Sequence, residues 1–324
     1  MITTAGRRGA ARRAQARPPP RPGTLTAVTD ATIEWFGCAT FRVRVGTTTL
    51  FFDTYLDKAP GVPDAGLRAA EVDRADVLFI SHAHFDHVLG ADVIARATGA
   101  TVVGNSEVAH LMVANGVPEE QVLAVSGGET VDCGDGIRVR VLPALHSCLF
   151  AAGGGDSGSA CLGDLGVSAQ DRARAARGLF DLLPTLSEET REYFEATRGR
   201  TSHRDGGQLA YLLETPGGSL LVSASPGCWR GIFAGLRPDV AVLAAAGRAN
   251  LDGEPYQGSM SEFLVEQAEL LGRPVVALCH HDPLLPPVAP AYDVTAAEAA
   301  LRELLGADRY RTFRYGEAQP LFPG

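Results

Sequence analysis

The chain has 324 residues, of which 45% are apolar and 21% charged, and a formal net charge of −9. That length holds one large domain or two ordinary ones, and the composition suits a soluble globular protein. The acidic balance argues against a general nucleic-acid binder, and no apolar run reaches the roughly 18–20 residues a membrane helix needs.

Residues 1–29 carry Arg7, Arg8, Arg12, Arg13, Arg17 and Arg21, no acid, and the run PPPRPG, which leaves −15 on the remainder. Arginine, alanine and proline without apolar periodicity cannot bury a core, so a disordered basic leader is expected here. Twin arginines suggest export, but the apolar stretch of an export signal is missing. A tail that touches an acidic partner is the alternative to a solvated leader.

One domain is expected over 30–324. TIEWF, FRVRV and TLFFDTYL (32–36, 41–45, 49–56) predict short strands joined by tight turns, and VLFI (77–80) a buried strand. A helix over 91–98, a strand over 101–104 and a helix over 106–116 follow. IRVRVLPALH (137–146) alternates as a strand and delivers His146. A hairpin is expected over 208–215 and 219–225, then strand 240–246, helix 261–272, strand 274–282 and helix 295–306. Residues 147–207 interrupt this rhythm. GGGDSGSACLGDLG is loop-like; Ser168 and Ser187 then open two helical stretches, 169–183 and 188–197. An insertion directly after His146 is expected to be a helical cap over a site, or a helical pair covering a sheet edge. The six cysteines (Cys38, Cys133, Cys148, Cys161, Cys228, Cys279) form no CxxC, which fits a reduced, cytoplasmic setting.

The stretch ISHAHFDHVLG follows the buried strand and places His82, His84, Asp86 and His87 within six positions. Residues two apart on a helix face different ways, so a loop is expected to turn all four inward. Burying so many polar rings without a cation leaves unpaired groups. Imidazole nitrogens with a carboxylate suit Zn²⁺ or iron. The other histidines are His110, on a helix and expected to be structural; His146; His203, a substrate contact or a surface-loop residue; and His280 and His281.

SHAHFDH resembles the signature of the metallo-β-lactamase-fold hydrolase superfamily, and WFGCATFRVRVGTTTLFFDTYL resembles that family's opening hairpin, as in the L-ascorbate-6-phosphate lactonase-like branch. The resemblance spans residues 32–316 in element order. It implies a four-layer αββα sandwich with the site at one edge. It also implies that His82, His84 and His146 hold one metal, and that Asp86, His87 and a late histidine hold a second. His280 is favoured over His281, which becomes a pocket residue or proton carrier. Asp53 would orient the ligands from behind. The expected cofactor is Zn²⁺, one or two ions, with iron or manganese as substitutes.

At one place the sequence departs from the family. Ser225, in LLVSASPGCW, stands where the family has an aspartate bridging both metals. Two divalent ions with Asp86 and one hydroxide would keep a charge of +2 rather than +1. That excess weakens the second ion or favours an anionic substrate. A single-metal enzyme, a two-metal enzyme using Asp282 or Asp252, and a degenerate site are all compatible with this substitution. The expected chemistry is attack of a metal-activated water on a small ester, lactone, thioester or phosphate-bearing molecule, with Asp86 as base or water-steering carboxylate. The alternatives are a phosphodiesterase or nuclease of the same fold, and a non-enzymatic binding protein. The cap arginines Arg172, Arg174 and Arg177 are candidate anion contacts, or a solvated helix face.

Overall fold

The computed structural model describes residues 31–148, 168–181 and 183–322. The basic leader, and the first part of the expected cap with Cys161, lie outside the described residues.

Strands β1 (Ala31–Trp35), β2 (Phe41–Val45), β3 (Thr48–Phe52), β4 (Val77–Phe79), β5 (Thr101–Gly104) and β6 (Val122–Ala124) build the first sheet in sequence order. The second sheet uses β7 (Thr130–Asp132), β8 (Arg138–Pro143), β9 (Leu209–Thr215) and β10 (Gly218–Ser223). Next come β11 (Gly227–Cys228), β12 (Val240–Ala244), β13 (Asn250–Leu251), β14 (Glu254–Pro255), β15 (Val275–Cys279), β16 (Tyr310–Arg311) and β17 (Gln319–Pro320). The second sheet runs β16-β15-β12-β10-β9-β8-β7, and β17 returns to pair with β1 in the first. Strands β11, β13 and β14 form a small sheet of their own.

The layers follow from which side chains share each face. Leu50 and Phe52 of β3 point into a core shared with Val139, Val141, Val222, Val242 and Ala277 of the second sheet. Phe51, between them, points the other way, into a core with Val88, Ile94, Val108 and Met112 of the helices α1 (Phe85–Val88), α2 (Ala91–Thr98) and α3 (Ser106–Ala114). Leu221, Leu243 and Leu278 of the second sheet likewise face outward, onto Phe233, Phe263 and Leu301. Those three belong to α6 (Arg230–Phe233), α7 (Met260–Leu270) and α8 (Thr295–Leu305), the helices that follow α4 (Ala169–Asp181) and α5 (Glu188–Ala196). Strands covered on both faces read as continuous apolar runs, which is why VLFI, VAVLA and VVALC show no alternation. The result is helix, sheet, sheet, helix.

Strands β3 and β4 run parallel, as do β10, β12 and β15. Their C-terminal ends therefore meet at one edge. Asp53 follows β3, Ser81 and His82 follow β4, Ser225 follows β10 and His280 follows β15. Strand β8 is two antiparallel steps from β10 and so delivers His146 to the same edge.

Candidate metal centre

Seven side chains converge there in two groups: His82, His84 and His146, and Cys38, Asp86, His87 and His280. Within each group the donor atoms lie within 4.8 Å of one another. The His82 and His87 rings, one from each group, have centroids 3.9 Å apart.

In the first group His82 Nε2 lies 3.1 Å from His84 Nδ1, and the His146 ring centroid is 4.8 Å from each of the other two. Hydrogen bonds leave these donor atoms bare. His82 Nδ1 is 3.0 Å from Ser81 Oγ, and His146 Nδ1 is 3.0 Å from the Ser147 carbonyl. The His84 ring hydrogen-bonds the backbone of His203. Burial pushes all three imidazoles down from their ordinary pKa; His146, next influenced by His84, falls to about 4. Neutral rings with inward lone pairs are what a divalent ion requires.

In the second group His87 Nε2, His280 Nε2 and Asp86 Oδ2 form a triangle with edges of 3.1, 3.1 and 3.2 Å. Cys38 Sγ caps it, 3.7 Å from Asp86 Oδ2. With metal–nitrogen and metal–oxygen bonds of about 2.0–2.1 Å and metal–sulfur of about 2.3 Å, tetrahedral ligands stand about 3.3 Å apart, or about 3.5 Å to sulfur. The residues present therefore fit an ion. His87 Nδ1 is anchored to Asp53 Oδ2 at 2.7 Å, which directs Nε2 into the triangle. Asp53 also accepts from the Ser81 N–H and Oγ at 2.7 and 2.9 Å. Burial works against a charged His87, but Asp86 and Asp53 more than offset it and hold its pKa up at about 10. Without an ion, a proton on His87 answers these two carboxylates.

Cys38 is the residue sequence reasoning missed. A lone cysteine in a hairpin turn carries no spacing signal; only the fold brings it to residues 86 and 280. Its backbone N–H donates to both oxygens of Asp282 at 2.9 Å, and its carbonyl accepts from the His280 N–H at 2.9 Å and from Trp35 Nε1 at 3.0 Å. Tyr315 donates to the same Asp282. Gly37 makes this closeness feasible. At φ +84° a Cβ there would sit 2.8 Å from Asp282 Oδ2. Cys38, Asp53 and His280 all have positive φ, near 50° or 57°. Such strain costs on the order of 1–3 kcal/mol each and concentrates where geometry is imposed for function.

The remaining candidates are placed as follows. Ser225 Oγ accepts from the Ser147 N–H at 3.1 Å and lies outside both donor groups. Asp282 is occupied with the Cys38 turn, and Asp252 pairs with Arg230 at the surface at 2.9 Å. His281 stacks on Trp35 with centroids 5.4 Å apart, whereas His280 joins the triangle. His203 and His110 have exposed side chains. Asp86 and His87 lie on the one-turn helix α1 rather than in the loop expected, with extended His84 as its first flanking residue. A single turn separates neighbouring side chains by about 100°, which still lets both face the same ion.

The described part of the 147–207 insertion docks beside the site. Phe194 of α5 packs edge-on to Phe85 at 5.3 Å, and Tyr193 donates to the Asp57 carbonyl at 2.9 Å. Arg200 pairs with Asp92 of α2 at 2.7 Å. The Ser202 N–H and the Asp205 carbonyl bracket Ala83 of the histidine loop. On α4, Arg174 pairs with Asp171 and Arg177 is exposed; the Arg172 side chain lies outside the described residues. A cleft bordered by Gly217, Pro238, Arg273 and Arg309 opens at the other ends of the strands and holds none of these donors. Among the described residues no helix is long and apolar enough to cross a membrane.

Comparison with known proteins agrees with this geometry. Residues 48–163 match the domain family described as Beta-lactamase superfamily domain. A UPF0173 metal-dependent hydrolase of Pyrobaculum aerophilum is 38% identical over 117 residues, covering 36% of this chain and 50% of that protein. Another, of Roseiflexus castenholzii, is 32% identical over 126 residues, covering 39% and 51%. The chain thus spans about half the length of the curated relatives it matches. Among solved structures, the metallo hydrolase Igni18 of Ignicoccus hospitalis aligns with TM-score 0.54 and 17% identity, over 89% of this chain and 97% of that one. CmlA, a diiron β-hydroxylase from Streptomyces venezuelae, aligns with TM-score 0.51 and 18% identity, over 91% and 54%. The four layers, the histidine edge and these likenesses together make the chain a metallo-β-lactamase-fold protein.

Proposed function

We propose that the chain is a metal-dependent hydrolase acting on a small ester, lactone, thioester or phosphate-bearing molecule. The observation that carries this reading is the pair of donor groups sharing one sheet edge, with His82 and His87 in contact between them. The names of the partial relatives point the same way.

His82, His84 and His146 would hold one ion, and Cys38, Asp86, His87 and His280 a second. A bound Zn²⁺ or iron ion lowers the pKa of water toward about 7 and polarises the group under attack. The chain's own residues do the rest. Three protein ligands leave a coordination position open, whereas four close it. The three-histidine group is therefore the side on which substrate is engaged. Asp86, in the second group, would steer the attacking water, and Asp53 fixes the His87 ring through its Nδ1. Burial, then Asp86 and Asp282, push the Cys38 thiol well up from its ordinary pKa, so an ion would have to displace its proton; the thiolate would then supply the negative charge that Ser225 does not and bring the pair of sites from +2 to +1. Helix α5, through Phe194, forms one wall and excludes water from the Phe85 side. A reducing cytoplasmic setting is consistent with the free cysteines Cys38, Cys133, Cys148, Cys228 and Cys279.

The test is metal analysis of the purified chain alongside a panel of lactone, thioester, ester and phosphodiester probes. Stoichiometric metal with hydrolysis that disappears in His82→Ala supports the reading. Protein that stays metal-free after growth in zinc and iron favours a non-catalytic binding protein instead. Turnover confined to phosphodiesters favours the phosphodiesterase.

A further inference from the structure

Beside the second donor group lies a cation that the chemistry above does not use. Lys58 follows β3 in the loop DTYLDKAP and is only 9% exposed. Its ammonium has no hydrogen-bond partner among the described residues and sits 4.3 Å from the centre of the Tyr55 ring. An ammonium so placed is costly, because neither water nor an acceptor replaces its hydration. The aromatic face offsets part of that cost.

The loop is not slack. The Ala59 N–H donates to the Tyr55 hydroxyl at 2.8 Å, and Tyr55 packs edge-on to Phe85, the neighbour of Asp86, at 5.6 Å. Tyr193 of α5 secures the Asp57 carbonyl. The surroundings are those of the metal centre. Burial pushes the Lys58 ammonium down from its ordinary pKa, while Cys38, Asp282 and Asp86, in that order, pull it back up. These carboxylates are already engaged: Asp282 with the Cys38 N–H and Tyr315, Asp86 with His87 and His280. No carboxylate among the described residues comes within ion-pair distance of Lys58 Nζ. Lys58 Nζ, buried over the Tyr55 ring and without an acceptor among the described residues, has room in its hydrogen bonding for an anion from outside.

We propose that Lys58 is the anion-recognition residue of this centre, pairing with a carboxylate or phosphate group carried by the substrate. The substrates are then anionic esters or lactones rather than neutral ones. This rests on the hydrolase reading for the reacting end of the substrate, but not for the anion contact itself.

The experiment uses the full chain loaded with zinc, as wild type, Lys58→Met and Lys58→Arg, each checked for zinc content and far-UV circular dichroism. Succinate and inorganic phosphate are titrated separately by calorimetry at low ionic strength; the tighter of the two identifies the oxyanion class. The expected result is an affinity at least about tenfold weaker in Lys58→Met, with zinc content unchanged, and within a few-fold of wild type in Lys58→Arg. In parallel, hydrolysis of a 4-nitrophenyl succinate is compared with that of its neutral methyl ester. Lys58→Met should lower kcat/KM about tenfold or more for the anionic ester and leave the neutral one unchanged. If neither ester is cleaved but anion affinity still falls in Lys58→Met, the hydrolase reading fails and the Lys58 assignment stands. Cleavage of both esters, with anion affinity and ester preference the same in all three proteins, overturns Lys58 and spares the hydrolase. Absence of anion binding to zinc-loaded wild type also overturns it. Should Lys58→Met fold poorly, Lys58→Gln takes its place under the same criteria.

Discussion

Replacing Cys38 by serine tests the donor set most directly. The substitution removes one soft anionic ligand and changes little else. The Cys38 side chain is buried, and its backbone is held by Asp282 and His280 independently of the sulfur. The observed triangle edges of 3.1–3.2 Å and the 3.7 Å sulfur–oxygen distance match a tetrahedral ion to within about 0.2 Å. In the proposed two-ion centre, loss of the thiolate would also raise the net charge from +1 to +2. Removing partners that only orient ligands costs roughly 10–100-fold in metal affinity. Losing a ligand outright should therefore cost about 100-fold or more at the second position, which is about 2.8 kcal/mol. The first position, formed by His82, His84 and His146, should hold its ion. The assay is competition with a chromophoric chelator, read together with the absorbance of the cobalt-substituted protein. Wild type should show a sulfur-to-metal charge-transfer band that Cys38→Ser lacks, and the tight stoichiometry should drop from two to one. Equal affinities and identical cobalt spectra in the two proteins would refute the placement of sulfur in the donor set.

Four further outcomes are expected. Asp53→Asn turns an acceptor of three hydrogen bonds into a mismatched amide against His87 Nδ1, and should weaken metal binding about 10–100-fold in the same competition assay. Stripping the metal should lower thermal stability: an ion held at 100 times its Kd contributes about 2.7 kcal/mol, so the midpoint must rise again as zinc is titrated back. Phe263→Ala opens a fully buried site between α7 and the second sheet and should cost about 3–5 kcal/mol in urea unfolding, with metal stoichiometry preserved. Ser259→Ala removes the cap whose Oγ accepts from the Glu262 N–H while Glu262 reaches back, and should cost about 1 kcal/mol; no change in the urea midpoint would discount that capping box.

Much of the fold was legible because its buried strands announce themselves. FRVRV is β2 to the residue, TVVG is β5, and VLFI and VVALC end where the site begins. The short pieces were not legible. β11, β13 and β14 have two residues each, too few for any period, and they form because the chain beyond Ser225 packs back on itself. The same holds for β17, which pairs with β1 across almost the whole length of the chain. At the site, clustering in sequence made His82, His84, Asp86 and His87 conspicuous, and His146 and His280 were readable as strand ends. Cys38 and Lys58 gave no such notice. Each stands alone in its segment, and each gains its meaning from neighbours more than 200 residues away, Asp282 among them.

The clasp between Cys38, His280 and Asp282 has a consequence for how the centre is assembled. The three-histidine group draws on residues 82 to 146 alone. The other group needs the first hairpin and the last long strand together, since the residue 38 turn is tied to the 280–282 loop by backbone hydrogen bonds. A ribosome releases the first set of ligands well before the last member of the second. An ion could fill the second group only after the first hairpin and the last long strand have docked, so its uptake would report that late step of assembly.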